Sequence, residues 1–251
     1  MNKIVLSVCD FSGAWSAPYI APGVRVIRVD PKHGEWNREG RGITNHKRND
    51  LNLTTVPMED GGEGLGLTAG ELAGVLECDP LALGGPIVGL LMAPPCTDFS
   101  VSGARWWADK DADGRTAQSV AIVKECLRLV KAVEDTLKFW VLENPVGRLP
   151  TLVPELGKYL LAFNPCDYAG RLEDPAKEAY TKKTCLWGKF NPALRKDAVE
   201  PVMFTKVNSK GKTLRGSWMW AHLGGKSERT KELRSMTPVG FSQAFAEANP
   251  V

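Results

Sequence analysis

The sequence predicts an α/β fold, a Rossmann-like and mostly parallel sheet with helices on both faces and a small insertion toward the C-terminus. Three observations carry that expectation. The apolar runs at 4–10, 24–30, 86–92 and 137–144 are short and nearly unbroken, the pattern of strands buried on both faces. Segments with apolar residues at helical spacing lie between them. The runs also end in chemistry-bearing residues, Asp10, Asp30, Cys96 just beyond the third, and Glu143. Parallel sheets bind ligands beyond the C-terminal ends of their strands.

Taken in order, IVLSVCD (4–10) reads as a buried strand, and FSGAWSAPY as the turn and helix start after it. VRVIRVD (24–30) is a second strand. Residues 31–70 are polar, and the Gly-rich GGEGLG (61–66) is expected to be a flexible loop, because it lacks the Lys-Ser/Thr ending of a phosphate-binding loop. TAGELAGVLE is a helix, PIVGLLM a strand, residues 116–135 a long amphipathic helix, and LKFWVLEN another strand. After about residue 190 prolines, lysines and tryptophans mix, and a small subdomain or a long excursion is expected. FSQAFAEAN closes the chain as a short helix.

Composition sets limits on function. The chain's 251 residues suit one sizeable domain, or one with a small appendage. A net charge of +3 neither announces a nucleic-acid binder nor excludes one. With no 18-residue apolar run, no membrane span is expected. MNKIVLSVCDFSG is too short in its apolar part to read as a signal peptide, so a soluble cytoplasmic protein is expected. Six scattered cysteines form no CxxC pair and are joined by only three histidines, so no metal site is expected.

The chemistry concentrates at two places. DFSGAWS follows the first strand as an acidic residue and a Gly turn, and Asp30 lies where an acidic residue hydrogen-bonds ribose hydroxyls. Together they favour an adenosine-type cofactor. In APPCTDFSVSG (93–103), Pro94 and Pro95 hold the backbone extended before Cys96. Glu143, at the tip of an apolar strand, is costly there without a partner or a task. Partial desolvation would raise its pKa toward the range useful for proton exchange. In a parallel sheet Cys96 and Glu143 fall on neighbouring strand ends.

These motifs resemble those of the cytosine-C5 DNA methyltransferases. DFSGAWS resembles that family's first motif, and APPCTDFSVSG its PPCQxFSxxG loop through Pro94, Pro95, Cys96, Phe99, Ser100 and Gly103. LENP resembles its ENV motif, YTKKTCLWG a degraded QxRxR segment with the following strand, and RSMTPVGF its LTP-containing ninth motif. The matches run in family order.

The resemblance implies a Rossmann-like S-adenosylmethionine-dependent methyltransferase that flips a cytosine out of DNA and attacks C6 with Cys96. Glu143 would bond N3 and the exocyclic amine, Asn144 would shape the pocket, and Lys183 would stand for the second arginine, with Thr181 at the first. S-adenosylmethionine would lie over Ser12, Gly13, Trp15 and Pro94, with Phe11 on adenine, Asp30 on ribose, Asp50 near adenine and Asn249 where the chain returns. Trp15 stands where the family has a second glycine, and Thr97 where it has Gln.

DNA is the implied partner, met by Ser100, Arg105, Trp106, Lys206, Lys210, Lys212 and Arg215, with Trp218 and Trp220 nearby. The stretch ARWWADKDADGR (104–115) is expected to be a mobile lid. On this reading residues 1–190 are catalytic, 191–229 a reduced target-recognition insertion with a short or loose recognition sequence, and 230–251 a return to the catalytic domain. A monomer in a bacterial or phage-infected cell is expected. The same chemistry on tRNA or a free cytosine nucleotide, and an inactive protein that binds nucleic acid, remain alternatives.

Overall fold

The computed structural model describes residues 2–21, 23–33, 44–48, 51–207, 209–217 and 227–251. Its centre is one sheet in the order β3-β4-β5-β2-β1-β6-β7-β9-β8. The strands are β1 (Lys3–Val8), β2 (Val24–Val29), β3 (Thr44–Arg48), β4 (Leu51–Pro57), β5 (Glu63–Leu65), β6 (Ile87–Met92), β7 (Phe139–Pro145), β8 (Leu161–Phe163) and β9 (Thr184–Lys189). The five from β5 to β7 are parallel. β3 pairs antiparallel with β4 and β4 with β5 at one edge, and β9 pairs antiparallel with β7 and β8 at the other.

Alternation along each strand builds two cores. Ile4, Leu6, Val8, Ile27, Leu90, Met92 and Leu142 point to one face and pack with α1 (Ala69–Cys78) and, beyond a short α2 (Trp107–Ala112), with α3 (Arg115–Ala132). Val5, Val26, Leu91, Val141 and Leu186 point to the other, as do Trp15, Tyr168, Phe241 and Phe245. Phe241 and Phe245 belong to α6 (Val239–Ala248), reached after α4 (Leu149–Leu152) and α5 (Glu228–Ser235). The expected strands and helices are present within a few residues, except that the helix start expected after β1 is only a three-residue 3-10 turn, Ala17–Tyr19. α1 starts on a capping box between Thr68 and Glu71.

One stretch differs from expectation, and another, expected as a small subdomain or an excursion, holds a ribbon. GGEGLG is not simply a loop, since β5 runs through it beside β2. Glu63 is held there by Arg25 Nε (2.8 Å) and Thr55 Oγ1 (2.8 Å). Gly64 packs tightly here, since a Cβ would lie 3.1 Å from the His33 ring. Beyond residue 190, β10 (Met203–Val207) and β11 (Thr213–Ser217) form a separate antiparallel ribbon.

Glu178 caps α6, its buried carboxylate accepting from Val239 N and Gly240 N. Phe241 then stacks on Phe163 with ring centroids 3.9 Å apart and meets Tyr168 edge-on. Phe241→Ala should cost about 3–5 kcal/mol. The urea midpoint should fall with little change in slope. A loss below about 1 kcal/mol would show that this cluster does not hold α6.

Candidate active site

The loop after β1 is held from below. Cys9 adopts φ 61°, the left-handed region that costs a non-glycine residue about 1–3 kcal/mol, and turns the chain into Asp10. Asp10 Oδ2 accepts from Ser7 Oγ (2.9 Å), Ser16 Oγ (2.9 Å) and Ser16 N (3.3 Å). Arg28 of β2 is 1% exposed and lies under Gly13. Its Nε donates to Ser16 Oγ (3.0 Å), and its two terminal nitrogens donate to Asp60. Burial pushes the Asp60 carboxyl up, but hydrogen bonds from Arg28 and Gly62 N outweigh it and leave the group below its ordinary range. Gly13 (φ 72°) cannot gain a Cβ, which would lie 2.2 Å from Arg28 Cζ.

Above this loop lie the residues expected to meet a cofactor. Ser12 is exposed, and Phe11 and Asp30 are half-buried. Phe11 faces His33 at 5.2 Å between ring centroids, with Lys32 Nζ 5.1 Å from its ring. Asp30 Oδ1 accepts from Lys32 N. Asp50 lies outside the described residues.

Two expected cofactor residues are elsewhere. Trp15 is fully buried in the aromatic core against Phe241 and Phe245, so its ring faces α6 instead of the loop. Asn249 is at the opposite edge of the sheet. β9 runs antiparallel to β7, so Asn191 beyond its end sits at the N-terminal edge of the parallel strands. Asn249 Oδ1 accepts from Asn191 N (2.7 Å), and its carbonyl accepts from Tyr19 Oη (3.0 Å).

The second centre is the loop after β6. Cys96 is half-buried, Pro94 buried, and the Cys96 carbonyl accepts from Phe99 N and Ser100 N. Asn144 Nδ2 donates to Pro94 O (3.0 Å) and ties the end of β7 to this loop, so it positions the loop and does not line the cavity. Its Oδ1 is buried with no hydrogen-bond partner in the structure. Gly147 packs against Phe99 O where a Cβ would come within 1.9 Å.

The stretch expected to be a mobile lid is a 3-10 turn followed by α2, tied to the body. Lys110 reaches Asp98 (3.0 Å) and Thr97 O, and Arg148 bonds Asp111 and Asp98 O. Trp107 is packed under Arg148, whose Cζ is 4.6 Å from its ring, while Trp106 is 50% exposed beside Arg105.

Cys96 and Glu143 face one small cavity of about 40 Å³ with Ala93, Pro94, Lys182 and Ser235. It has room for a few waters and none for a pyrimidine. Burial pushes the Cys96 thiol up and Lys182 opposes it, while Glu143 adds to the rise. Burial likewise raises the Glu143 carboxyl, against Lys182 and with Asp10.

Lys182 is the cation that sequence reasoning missed, and Lys183 is not at the cavity. β9 alternates, so Leu186 and Thr184 share a face with Glu143, and that parity carries Lys182 to the cavity side. Lys183 falls on the side of Cys185, its carbonyl accepting from Val146 N. Lys182 Nζ also donates to Arg234 O of α5 (3.0 Å). Thr181 is exposed and does not line the cavity.

The expected nucleic-acid residues divide. Ser100 is 9% exposed and its Oγ is 2.6 Å from Ser102 Oγ, so it is turned into the loop. Arg105, Lys210, Lys212 and Arg215 are exposed, Lys206 lies in β10, and Trp218 and Trp220 fall outside the described residues. Among the described residues no cluster of three metal-ligating side chains occurs, and no helix is long and apolar enough to cross a membrane. No protein-family model and no curated protein matches this chain.

The raised Glu143 pKa fixes a sign for stability. Between the ordinary carboxylate range and the raised native value, the folded state binds more protons than the unfolded state. Stability therefore falls as pH rises through that window. Glu143→Gln should flatten this fall, read by urea unfolding from pH 4 to 8. A parallel decline in wild type and variant would remove Glu143 as its source.

Proposed function

We propose that this protein is an S-adenosylmethionine-dependent methyltransferase acting on cytosine C5 in DNA. One observation carries the reading: a thiol, a proton-holding carboxyl and an ammonium, Cys96, Glu143 and Lys182, converge on one cavity at the ends of β6 and β7. The cavity neighbours the place where strand order reverses between β1 and β6, the usual ligand crevice of such sheets.

The residues at that crevice fit an adenosine-type cofactor. Phe11 offers a ring face once Lys32 moves aside, Asp30 offers a half-buried carboxylate for ribose hydroxyls, and Ser12 offers an exposed hydroxyl. Asp10 is occupied by Ser7 and Ser16 and supports the loop instead. When bound, S-adenosylmethionine supplies an electrophilic methyl group.

The chain's own residues do the rest. Cytosine C5 is a poor nucleophile until a group adds at C6. Cys96 Sγ, whose burial favours the protonated thiol, gives its proton to water as the S–C6 bond forms and the electrons of the C5–C6 double bond shift to C5. Glu143, whose burial favours the protonated form, donates to N3 and accepts from the exocyclic amine, drawing electrons from the ring. Lys182 takes the role the resemblance gave Lys183, a positive charge beside the base and the thiolate. After methyl transfer a water takes the C5 proton, the C5–C6 double bond re-forms and the Cys96–C6 bond breaks, returning the thiolate.

Methyl-tritiated S-adenosylmethionine, offered with duplex DNA, single-stranded DNA, tRNA and dCMP, tests the reading. Label should appear in DNA as 5-methylcytosine and vanish with Cys96→Ser. Label only in tRNA or dCMP would replace the substrate, and comparable turnover by Cys96→Ser would overturn the nucleophile. Lys182→Gln should slow transfer about 10²-fold or more, while Lys183→Gln should stay within about twofold. The reverse order would restore Lys183 to the site.

A further inference from the structure

We propose that Cys9 and Cys126 form a reversible disulfide when the protein meets hydrogen peroxide, and that closing it displaces the turn after β1 that carries Phe11, Ser12 and Gly13. The pair takes no part in the chemistry proposed above.

The backbone brings the two thiols together through a strained residue. Ile4, Leu6 and Val8 of β1 point into the core that packs with α3, so strict alternation would send Cys9 to the opposite face. Instead Cys9 takes φ 61°, the one positive φ outside glycine among the described residues, and packs against the core that holds Cys126. Its backbone N–H donates to Val29 O (2.8 Å), which fixes the turn from β2. Cys126 belongs to the stripe of Ser119, Val123, Cys126 and Leu129 that α3 buries, and none of it is exposed. The side chains of Cys9 and Cys126 are within hydrogen-bond reach of each other. A left-handed cysteine is uncommon and persists only where its surroundings hold it.

Exposure assigns the order of events. Cys9 is half-buried and within reach of a small oxidant, while Cys126 is sealed. Contact with Cys9, and then burial, hold the Cys126 thiol well above its ordinary range, so it stays protonated until a partner sulfur reacts. Cys9 Sγ attacks one peroxide oxygen. The S–O bond forms, the O–O bond breaks, and the thiol proton leaves with the departing oxygen as water. Cys126 Sγ then attacks the sulfenic sulfur. The S–S bond forms, the S–O bond breaks, and the hydroxyl leaves with the Cys126 proton as a second water. The two thiols thus lose two electrons and two protons, and the peroxide becomes two waters. A small dithiol reverses the step by exchange.

The consequence follows from which side can move. Cys126 sits in an 18-residue helix packed into the core, so the movement that joins the sulfurs falls on the Cys9 side. The next residue is Asp10, whose carboxylate accepts from Ser7 Oγ, Ser16 Oγ and Ser16 N and so sets the path of the turn. Gly13 lies over Arg28 with no room for a Cβ. A turn clamped this closely cannot take up the shift within itself, so Phe11 and Ser12 leave their places at the crevice. Where the crevice holds an adenosine-type ligand, as proposed above, oxidation weakens that binding by about tenfold.

The test uses the full-length protein carrying Cys78→Ser, which removes an exposed thiol outside the pair. Hydrogen peroxide is added to the reduced protein, remaining thiols are blocked with iodoacetamide, and a tryptic digest is read by mass. Fragment 4–25 should be joined to fragment 125–128, two hydrogens lighter than their sum, and dithiothreitol should part them. Amide hydrogen exchange should change over residues 10–17 and recover with dithiothreitol. Binding of S-adenosylhomocysteine should weaken about tenfold on oxidation. Cys126→Ala and Cys9→Gly should each abolish the joined fragment and hold that binding constant under peroxide. Glycine suits φ 61°, so Cys9→Gly keeps the turn without the thiol.

Cys9 recovered as a sulfinic or sulfonic acid, with no joined fragment, would overturn the pair. A joined fragment with unchanged exchange over residues 10–17 would overturn the displaced turn. A loss of binding that persists in Cys126→Ala would remove the disulfide as its cause. No binding of S-adenosylhomocysteine by the reduced protein would overturn the cofactor reading above, while the joined fragment and the exchange would still decide the disulfide.

Discussion

A strand buried on both faces has room for polar chemistry only where it leaves the sheet, and most of this molecule follows from that constraint. Ile4, Val5, Leu6 and Val8 of β1 and Ile87, Leu90, Leu91 and Met92 of β6 are nearly or wholly excluded from water. Each such side chain contributes about 1.5–3 kcal/mol by leaving water. The same exclusion sets the proton affinities of the two groups at the exits. Cys96 and Glu143 are both raised, with burial as the leading cause and Lys182 as the opposing charge. The site's electrostatics are thus a by-product of how the sheet is covered.

Support beneath the site is as specific as the site itself. Arg28 belongs to β2, yet its guanidinium braces the loop after β1 through Ser16 and that before β5 through Asp60. A buried arginine without Asp60 would be an uncompensated charge, and without Gly13 the loop could not lie over it. Asn144 does the same for the Cys96 loop from β7. The groups that face the cavity are few, and those that fix their backbone come from β1, β2 and β7 and from the loops between strands.

Much of this was legible in the sequence because the signals were local. Long apolar runs gave β1, β2, β6 and β7, and a capping box opened α1 where the periodicity placed it. The pairing of Cys96 with Glu143 followed from parallel neighbours. What failed depended on side, direction or partner. Lys182 and Lys183 are adjacent, and only the parity of β9 separates them. Asn249 misled because an antiparallel strand carries its partner to the far edge. Trp15 misled because its surroundings, Phe241 and Phe245, come from the other end of the chain. β5 and the ribbon were obscured by glycines and lysines, whose strand positions depend on neighbours and not on their own propensity.

The cavity beside Cys96 is narrowed at its rim by Ser235, next to the bond from Lys182 to the Arg234 carbonyl. A ring-sized ligand bound beside Cys96 therefore needs Ser235 and the end of α5 to move. Its apparent dissociation constant is the intrinsic one divided by the fraction of molecules already open, so the same contacts yield weaker binding than in a preformed pocket. A group that bound elsewhere and lifted the end of α5 would return that lost affinity without touching the ligand. Ser235 and the Lys182 bond to the Arg234 carbonyl act in this sense as a threshold, which sets how strong an interaction must be before the cavity registers it.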